Sequence, residues 1–162
     1  IFNPSVIIGP AKRYQSSAQL FAYVSDQKLF YTKGLINYID VRDVAEIIVE
    51  SLESNIVNEQ FILNNGSISY QDFFRTIAQQ LNVKAPTIGV PKFMVIFGAI
   101  VENIISKISK KPATLTMETA KMAGNQNIYK AEKAKNTFNI TYKTFEESVE
   151  WTVGEMQNEG EL

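Results

Sequence analysis

Residues 38–46 read YIDVRDVAE, and this stretch passes from a strand pattern to a helix pattern within a few positions. Residues 36–41 predict a short edge strand, because β-branched and aromatic residues dominate there. From Asp43 onward, apolar residues recur at helical spacing. This spacing predicts a helix whose buried face carries Val44, Ala45, Ile48 and Leu52.

An apolar run near the start of the sequence supplies a second strand. Residues 3–10 read NPSVIIGP, in which Val6 to Ile8 has the continuous apolar character of a strand buried on both faces, and the Gly-Pro pair ends it. A helix is predicted next, around Leu20, Phe21 and Val24, and residues 27–37 are predicted to be turn and irregular chain. Because Ile1 begins directly in a β-branched run, we expect the sequence to be cut from a longer protein.

The second half of the sequence is mainly helical in pattern. Gln60 to Leu63 predicts a third short strand, and the polar residues 64–67 predict a turn after it. Residues 69–72 and 144–147 each resemble a capping box, in which the first and fourth residues satisfy each other's backbone donors. The helices behind these caps are predicted to bury Phe73, Ile77 and Leu81 in one case, and Phe145, Val149 and Thr152 or Trp151 in the other.

Three further helices and a tail complete the prediction. Pro91 suits the first turn of a helix that runs to about Lys107, Thr116 can cap a helix through Met122, and residues 130–135 predict another. Residues 158–162 are predicted to be a disordered tail. Three short strands are too few for an independent two-sided sheet, so the pattern indicates part of a larger α/β fold.

Composition excludes several classes of function. The chain has 16 basic and 17 acidic residues and a formal net charge of -1, so no broad field attracts nucleic acid or an anionic membrane. It contains no cysteine and no histidine, which removes disulfides, thiolate nucleophiles, the usual zinc ligands and histidine-based catalysis. We therefore expect neither a metal site nor a nucleic-acid partner.

Localisation follows from the same composition. The lack of cysteine fits a reducing compartment, and no signal-peptide pattern opens the chain, so we expect a cytoplasmic protein. The most apolar stretch, residues 93–101, is bounded by Lys92 and Glu102 and falls short of the about 20 apolar residues that span a bilayer. No transmembrane segment is expected.

Residues 3–10 and 38–46, in this order and at this distance, resemble the extended short-chain dehydrogenase/reductases, the superfamily of the NAD-dependent epimerases and dehydratases. The resemblance continues through the strand at 60–63 and through residues 130–134, KAEKA. The proline-initiated apolar helix and residues 111–116, KPATLT, resemble the dihydroflavonol reductase and hydroxysteroid dehydrogenase branch.

This resemblance implies an α/β fold that is the C-terminal part of an extended Rossmann-type fold, mostly helical with a few short strands. Residues 1–157 would form the substrate-binding portion. The N-terminal half, which binds the dinucleotide in such proteins, would be missing.

The resemblance also implies NAD or NADP as the cofactor of the longer protein. In this family a Gly-rich turn binds the dinucleotide, but no two glycines here stand close enough for a G-x-G-x-x-G turn, so no cofactor is expected to bind this chain alone. Tyr129 and Lys133 form a Tyr-x-x-x-Lys pattern. Because the family's catalytic pair precedes the strand at Asn3 and Pro4, we interpret Tyr129 as a surface residue and Lys133 as a solvated one. No catalytic residue is predicted.

Candidate cofactor-binding residues follow from the resemblance. It implies that Pro4, Ser5 and Val6 line the nicotinamide end of the cofactor pocket, at the carboxyl edge of the sheet where ligands bind in such folds. The alternative is that Pro4 ends a strand and Ser5 caps a turn. Ser17 is a candidate hydrogen-bond partner for the cofactor, and a helix N-cap is the alternative for Ser16 or Ser17.

Two candidate substrate-binding residues precede Asp40 in the strand predicted at residues 36–41. Asn37 and Tyr38 resemble substrate-facing positions, and a core position is the alternative for the aromatic ring. The charged residues that follow have architectural interpretations, in which Asp43 caps the next helix and Arg42 pairs with a carboxylate.

We therefore predict the substrate-binding portion of an NAD(P)-dependent reductase or dehydrogenase for a small, fairly apolar carbonyl or alcohol, catalytically silent alone. One alternative is the same portion of a nucleotide-sugar epimerase or dehydratase, and another is a non-enzymatic protein-binding module that retains the fold. The expected partners are a small-molecule substrate, the missing dinucleotide-binding half and further copies of the chain in a homo-oligomer.

Overall fold

The computed structural model of the chain describes residues 1–97, 100, 124 and 126–162. These residues form a mixed α/β structure, which confirms the predicted fold class. Residues 92–97 are helical directly after Pro91, as predicted. The other elements, in chain order, are β1 Phe2–Pro4, β2 Val6–Ile8, α1 Ala18–Ser25, β3 Phe30–Thr32, β4 Leu35–Asp40, α2 Val41–Glu53, β5 Phe61–Leu63, β6 Gly66–Ser69, α3 Tyr70–Leu81, β7 Ile88–Val90, α4 Glu132–Thr137 and α5 Phe145–Asn158.

The strands form one three-stranded sheet and two two-stranded pairs. In the three-stranded sheet β4 is central, parallel to β2 and antiparallel to β6. β1 runs parallel to β5, and β3 runs parallel to β7. The predicted edge position of residues 36–41 is therefore wrong, because β6 occupies the second edge. β6 itself starts at Gly66, inside the predicted turn, and β3 lies in the stretch predicted to be irregular.

The junction between β1 and β2 positions the candidate site. These strands follow one another in the chain but pair with different partners, β5 for β1 and β4 for β2. Ser5 lies between them, and its backbone N–H donates to the carbonyl of Leu63 at 2.9 Å. The segment from Pro4 to Val6 thus crosses from one pairing partner to the other at the carboxyl end of β1.

Two apolar clusters hold these elements together. The larger one packs α1, α3 and α5 against the sheet. Aromatic rings lie at its centre: the ring centre of Phe73 is 5.2 Å from that of Phe145 and 6.3 Å from that of Phe21. The smaller one joins α2 and α4 to β5, around Ile47, Leu63 and other buried side chains. Phe73 and Ile77 are fully buried, as predicted, and Leu81 is only partly buried.

Both predicted helix caps are present, although they differ in detail. Thr144 and Glu147 form the full reciprocal capping box at the start of α5. At the start of α3, the Ser69 hydroxyl accepts the backbone N–H of Asp72 at 3.1 Å. The Asp72 carboxylate accepts the Ser69 hydroxyl and Arg75. Inside α5, Thr152 is buried and Trp151 only partly so, which decides between the two predicted inward residues.

The buried face of α2 differs from the predicted one. Asp43, Val44 and Ile47 are buried, whereas Ile48 is 40% exposed and Leu52 80% exposed. Asp43 points inward because its carboxylate accepts the backbone N–H of Lys143 at 3.2 Å and lies 3.3 Å from the ammonium group of that residue. Of the predicted stripe, Val44 is therefore buried as expected, whereas Ala45, Ile48 and Leu52 face solvent.

Asp40, and not Asp43, caps α2. Its carboxylate accepts the backbone N–H of Arg42 at 2.8 Å and the guanidinium of the same residue at 2.7 and 2.9 Å. The Arg42 guanidinium also lies 4.2 Å from the centre of the Trp151 ring. Burial raises the pKa of Asp40, but hydrogen bonds from Arg42 and Ser148 outweigh it and hold the pKa below its usual value. Burial raises the pKa of Asp43 by more than Lys143 lowers it.

These two carboxyl groups are expected to affect acid stability in opposite directions. The folded pKa of Asp40 is depressed, so its stabilising contribution is lost as the pH falls through that pKa. The folded pKa of Asp43 is raised, so acidification through it relieves a cost that is present at neutral pH. Between about pH 7 and about pH 3, Asp40→Asn should therefore lose less unfolding free energy than the wild-type chain does. Asp43→Asn should lose more than the wild-type chain over the same interval. Urea unfolding at both pH values tests this, and a change of the same sign in both variants would contradict it.

The last residues of the chain have defined contacts, which corrects the predicted disordered tail at 158–162. Asn158 is the last residue of α5. The Glu161 carboxylate accepts the backbone N–H of Arg13 at 2.8 Å, and Leu162 packs against the larger apolar cluster.

Other helix predictions have mixed outcomes. α4 begins and ends two residues later than predicted. The predicted helix at 116–122, and the extension of the Pro91 helix to Lys107, lie outside the described residues. In the part of the chain that the structure describes, no helix has the length and apolarity that crossing a membrane requires.

Candidate functional site

Pro4, Ser5 and Val6 lie between two clefts. One cleft, of about 280 Å³, opens toward β4, α3 and the loop that carries Asn127 and Tyr129, and we call it the Tyr129 cleft. The other, of about 470 Å³, opens toward the start of α1, and we call it the Ser17 cleft. The Tyr129 cleft is lined by residues 4–6 together with Leu35, Ile36, Asn37, Tyr70, Asn127 and Tyr129. The Ser17 cleft is lined by Ser5, Val6, Ile7, Ser16, Ser17, Gln19 and Leu20.

Ser5 and Val6 line both clefts, so this short segment forms the wall that the clefts share. The Ser5 hydroxyl oxygen is buried and has no hydrogen-bond partner among the described residues. A buried hydroxyl without a partner is unfavourable. It is therefore a group that a bound ligand could satisfy from either side.

Ser17 makes a hydrogen bond within the chain, and its oxygen can still accept one from a cofactor, so that role stays a prediction. It occupies the N-cap position of α1, but its side chain makes no capping hydrogen bond. Its hydroxyl donates instead to the carbonyl of Ile7 at 2.5 Å, which ties the start of α1 to β2. Ser17 therefore lines its cleft with its hydroxyl already engaged.

Tyr38 lies away from both clefts. Successive side chains of a strand point to opposite faces, so Tyr38 and Asn37 cannot both face the Tyr129 cleft. The Tyr38 ring packs 4.9 Å from the ring of Phe145, and burial, followed by the charge of Glu146, raises its pKa. This packing favours the core interpretation of Tyr38, and its contact with a substrate stays a prediction.

Asn37 lies at the cleft, but its amide is already hydrogen-bonded. Its Nδ2 donates to the carbonyl of Asn127 at 2.8 Å. Its Oδ1 accepts the backbone N–H of Tyr129 at 2.9 Å and the hydroxyl of Ser67 at 2.5 Å. Asn64 contributes a further bond, in which its Nδ2 donates to the carbonyl of Tyr129 at 2.9 Å.

Asn64, Tyr70 and Asn127 were not identified from the sequence. Asn64 stands in a polar run that reads as a turn, and Tyr70 stands in the first turn of a helix. One signal was available, because Asn64 directly follows the buried strand β5, at the end of the strand where α/β proteins bind ligands.

Tyr129 and Lys133 lie in different surroundings. Tyr129 lines the cleft with 45% of its surface exposed, so it is part of a concave site and not simply a surface residue. The Lys133 ammonium lies 2.6 Å from the Glu59 carboxylate and 4.7 Å above the ring of Phe61. Lys133 is thus engaged at a separate surface. Within the described ranges, no three Asp, Glu, His or Cys residues are grouped in a way that could hold a metal ion.

The comparison with curated sequences finds one relevant relative. No family model matches the chain. The chain is 25% identical over 167 aligned residues to a protein named "Putative dihydroflavonol 4-reductase" from Synechocystis sp. (strain ATCC 27184 / PCC 6803 / Kazusa), covering 99% of this chain and 48% of the relative.

Solved structures show the same relation. The chain superimposes on a nucleoside-diphosphate-sugar epimerase from Pseudomonas aeruginosa with a TM-score of 0.74 and 18% identity, over 100% of this chain and 49% of that one. It superimposes on a dTDP-glucose 4,6-dehydratase from Bacillus anthracis, in complex with NAD, with a TM-score of 0.64 and 16% identity, over 99% and 45%.

The chain therefore spans about half the length of the relatives it matches. The resemblance predicted from residues 3–10 and 38–46 is confirmed: along nearly its whole length this chain is similar to part of a dihydroflavonol reductase-like protein and shares its fold with part of the NAD-dependent epimerases and dehydratases.

Proposed function

We propose that residues 1–157 are the C-terminal, substrate-side portion of an NAD(P)-dependent reductase or dehydrogenase that acts on a small, fairly apolar carbonyl or alcohol. The observation that carries this proposal is the position of residues 4–6, between two clefts at the carboxyl end of β1. Ligands of open α/β sheets bind at that end of the strands.

The two clefts suit different parts of such a complex. The Ser5 hydroxyl, buried and without a described partner, fits a donor or acceptor for the nicotinamide end of the cofactor, which would supply hydride when bound. The Tyr129 cleft is lined by the apolar side chains of Val6, Leu35 and Ile36 and by the rings of Tyr70 and Tyr129. Ser5, Asn37 and Asn127 add polar groups to the same lining. This mixed, uncharged lining fits a small uncharged substrate with both apolar and hydrogen-bonding groups, and the chain's own part is to shape and orient that substrate.

Charge separates this proposal from the nucleotide-sugar alternative. A diphosphate is usually bound by arginine, lysine or helix N-termini. Neither cleft is lined by a charged side chain among the described residues. An uncharged carbonyl or alcohol therefore fits these surfaces better than a nucleoside diphosphate sugar does.

The test is a turnover assay on the longer protein that contains this chain. NADH or NADPH is mixed with benzaldehyde or with cyclohexanone, and loss of reduced nicotinamide is followed. In a separate arm NAD⁺, the hydride acceptor that sugar oxidation requires, is mixed with UDP-glucose, and formation of sugar products is followed. We expect oxidation of one reduced nucleotide with an uncharged carbonyl, no conversion of UDP-glucose, and no turnover by the isolated chain. Conversion of UDP-glucose alone would support the epimerase or dehydratase alternative. No turnover and no nucleotide binding would support the protein-binding module.

A further inference from the structure

We infer that Asn37 and Asn64 are positioning residues that act together on the backbone of Tyr129 and so set one wall of the Tyr129 cleft. The hydrogen bonds themselves are independent of the proposed function. Only the expected effect on substrate affinity rests on it.

The geometry resembles a strand pairing in which side chains replace the partner backbone. The N–H of Tyr129 donates to Asn37 Oδ1 and its carbonyl accepts from Asn64 Nδ2, both at 2.9 Å. The carbonyl of Asn127 accepts from Asn37 Nδ2 at 2.8 Å. Residues 126–130 have no regular secondary structure, so these two amides satisfy backbone groups that a helix or strand would otherwise satisfy.

Both amides are buried and come from separate elements. Asn37 is 9% exposed in β4, and Asn64 is 3% exposed directly after β5. The Ser67 hydroxyl donates to Asn37 Oδ1 at 2.5 Å, which fixes the amide with its oxygen toward the Tyr129 N–H. The end of β5 and the middle of β4 therefore hold the same residue from two directions.

This arrangement decides how Asn37 can act. Its oxygen accepts two donors and its nitrogen donates to a carbonyl, so the amide has little capacity left for a substrate. Tyr129, which these bonds hold, does line the cleft, together with residues 4–6. Removing an amide leaves buried backbone groups without partners, so residues 127–129 are expected to move toward water.

Hydrogen exchange of the Tyr129 amide tests the hydrogen bonds in the purified 162-residue chain. We expect Asn37→Ala to speed this exchange about tenfold or more, because the N–H loses its acceptor, and Asn64→Ala to speed it through loosening of the same residue. Asn37→Asp keeps an acceptor for the N–H and should restore much of the protection. The matched control is Asn55→Ala, an exposed position after α2, which should leave the exchange unchanged. An unchanged rate in Asn37→Ala would overturn the inference.

Steady-state kinetics of the longer protein with benzaldehyde tests the positioning role. We expect Asn37→Ala and Tyr129→Ala each to raise KM about tenfold with a smaller change in kcat, and the double variant to be no worse than the single ones. If the increases in KM of the two single variants multiply in the double variant, Asn37 contacts the substrate directly, and this result would overturn the inference. So would an unchanged KM alongside faster exchange. If the wild-type protein does not turn over benzaldehyde, the proposed function fails for this substrate, and the exchange experiment still decides whether the amides hold Tyr129.

Discussion

The purified 162-residue chain is expected to sediment as an oligomer or aggregate and not as an 18.3 kDa monomer. One reason lies on α2, where Ile48, Val49 and Leu52 are 40%, 57% and 80% exposed. Ile56 and Val57, on the loop that follows, extend this apolar surface along the chain. Contiguous exposed apolar surface of this kind is uncommon on soluble monomers and marks a place where another surface binds.

The strands contribute less to this exposed surface. β2 pairs with β4, and β5 pairs with β1. Their backbone is therefore partly satisfied, whereas Ile1, Val6 and Ile62 still expose apolar side chains. Self-association through α2 around a two-fold axis would cover the exposed apolar residues of that helix.

Light scattering combined with binding of a hydrophobic dye measures this association. The double variant Ile48→Lys with Leu52→Lys places two charges on the exposed face of α2 and should shift the chain toward monomer. Leu29→Lys is the matched control, because Leu29 is also exposed but lies before β3, away from α2. A monodisperse wild-type monomer that binds no dye would show that this surface needs no covering.

Local signals in the sequence predicted the starts of α3 and α5. The Thr144 capping box is satisfied within four residues, and Ser69 caps α3 over the same distance, so no distant contact is needed to identify them. The strand at Val6 to Ile8 is confirmed for a similar reason, because its apolar run ends at a Gly-Pro pair. Its predicted burial on both faces is wrong, because Val6 is exposed and only Ile8 is fully buried.

Features that depend on distant residues were not predictable. β3 and β7 are three residues each, and each exists only because it pairs with the other from far along the chain. The rotation of α2 depends on Lys143, which is 100 residues from Asp43. A helical stripe read from spacing alone cannot include such an anchor.

The candidate site divides in the same way. Resemblance identified residues 4–6, and the structure places them between two clefts. It also assigned Tyr38 to the substrate, although strand alternation places that ring on the other face from Asn37. The contribution of Asn64 was missed because its partner, Tyr129, is 65 residues away.

The second large effect concerns cofactor binding, which would separate the proposed substrate-side portion from a protein that also contains the dinucleotide-binding half. Dinucleotide binding in such folds depends on a Gly-rich turn that lets backbone N–H groups approach the pyrophosphate. The sequence of this chain has eight glycines and no such turn. Ser5 and its neighbours would contact only the nicotinamide end, which is too small a part of the cofactor to hold it.

Fluorescence titration of NADH and NADPH is therefore the most direct test of the central claim, performed side by side on the isolated chain and on the longer protein that contains it. We predict saturable binding of at least one nucleotide by the longer protein at about micromolar concentration, and no saturation by the isolated chain up to about millimolar, a difference of about a thousandfold or more. Micromolar binding by the isolated chain would contradict the claim that this is the substrate-side portion alone.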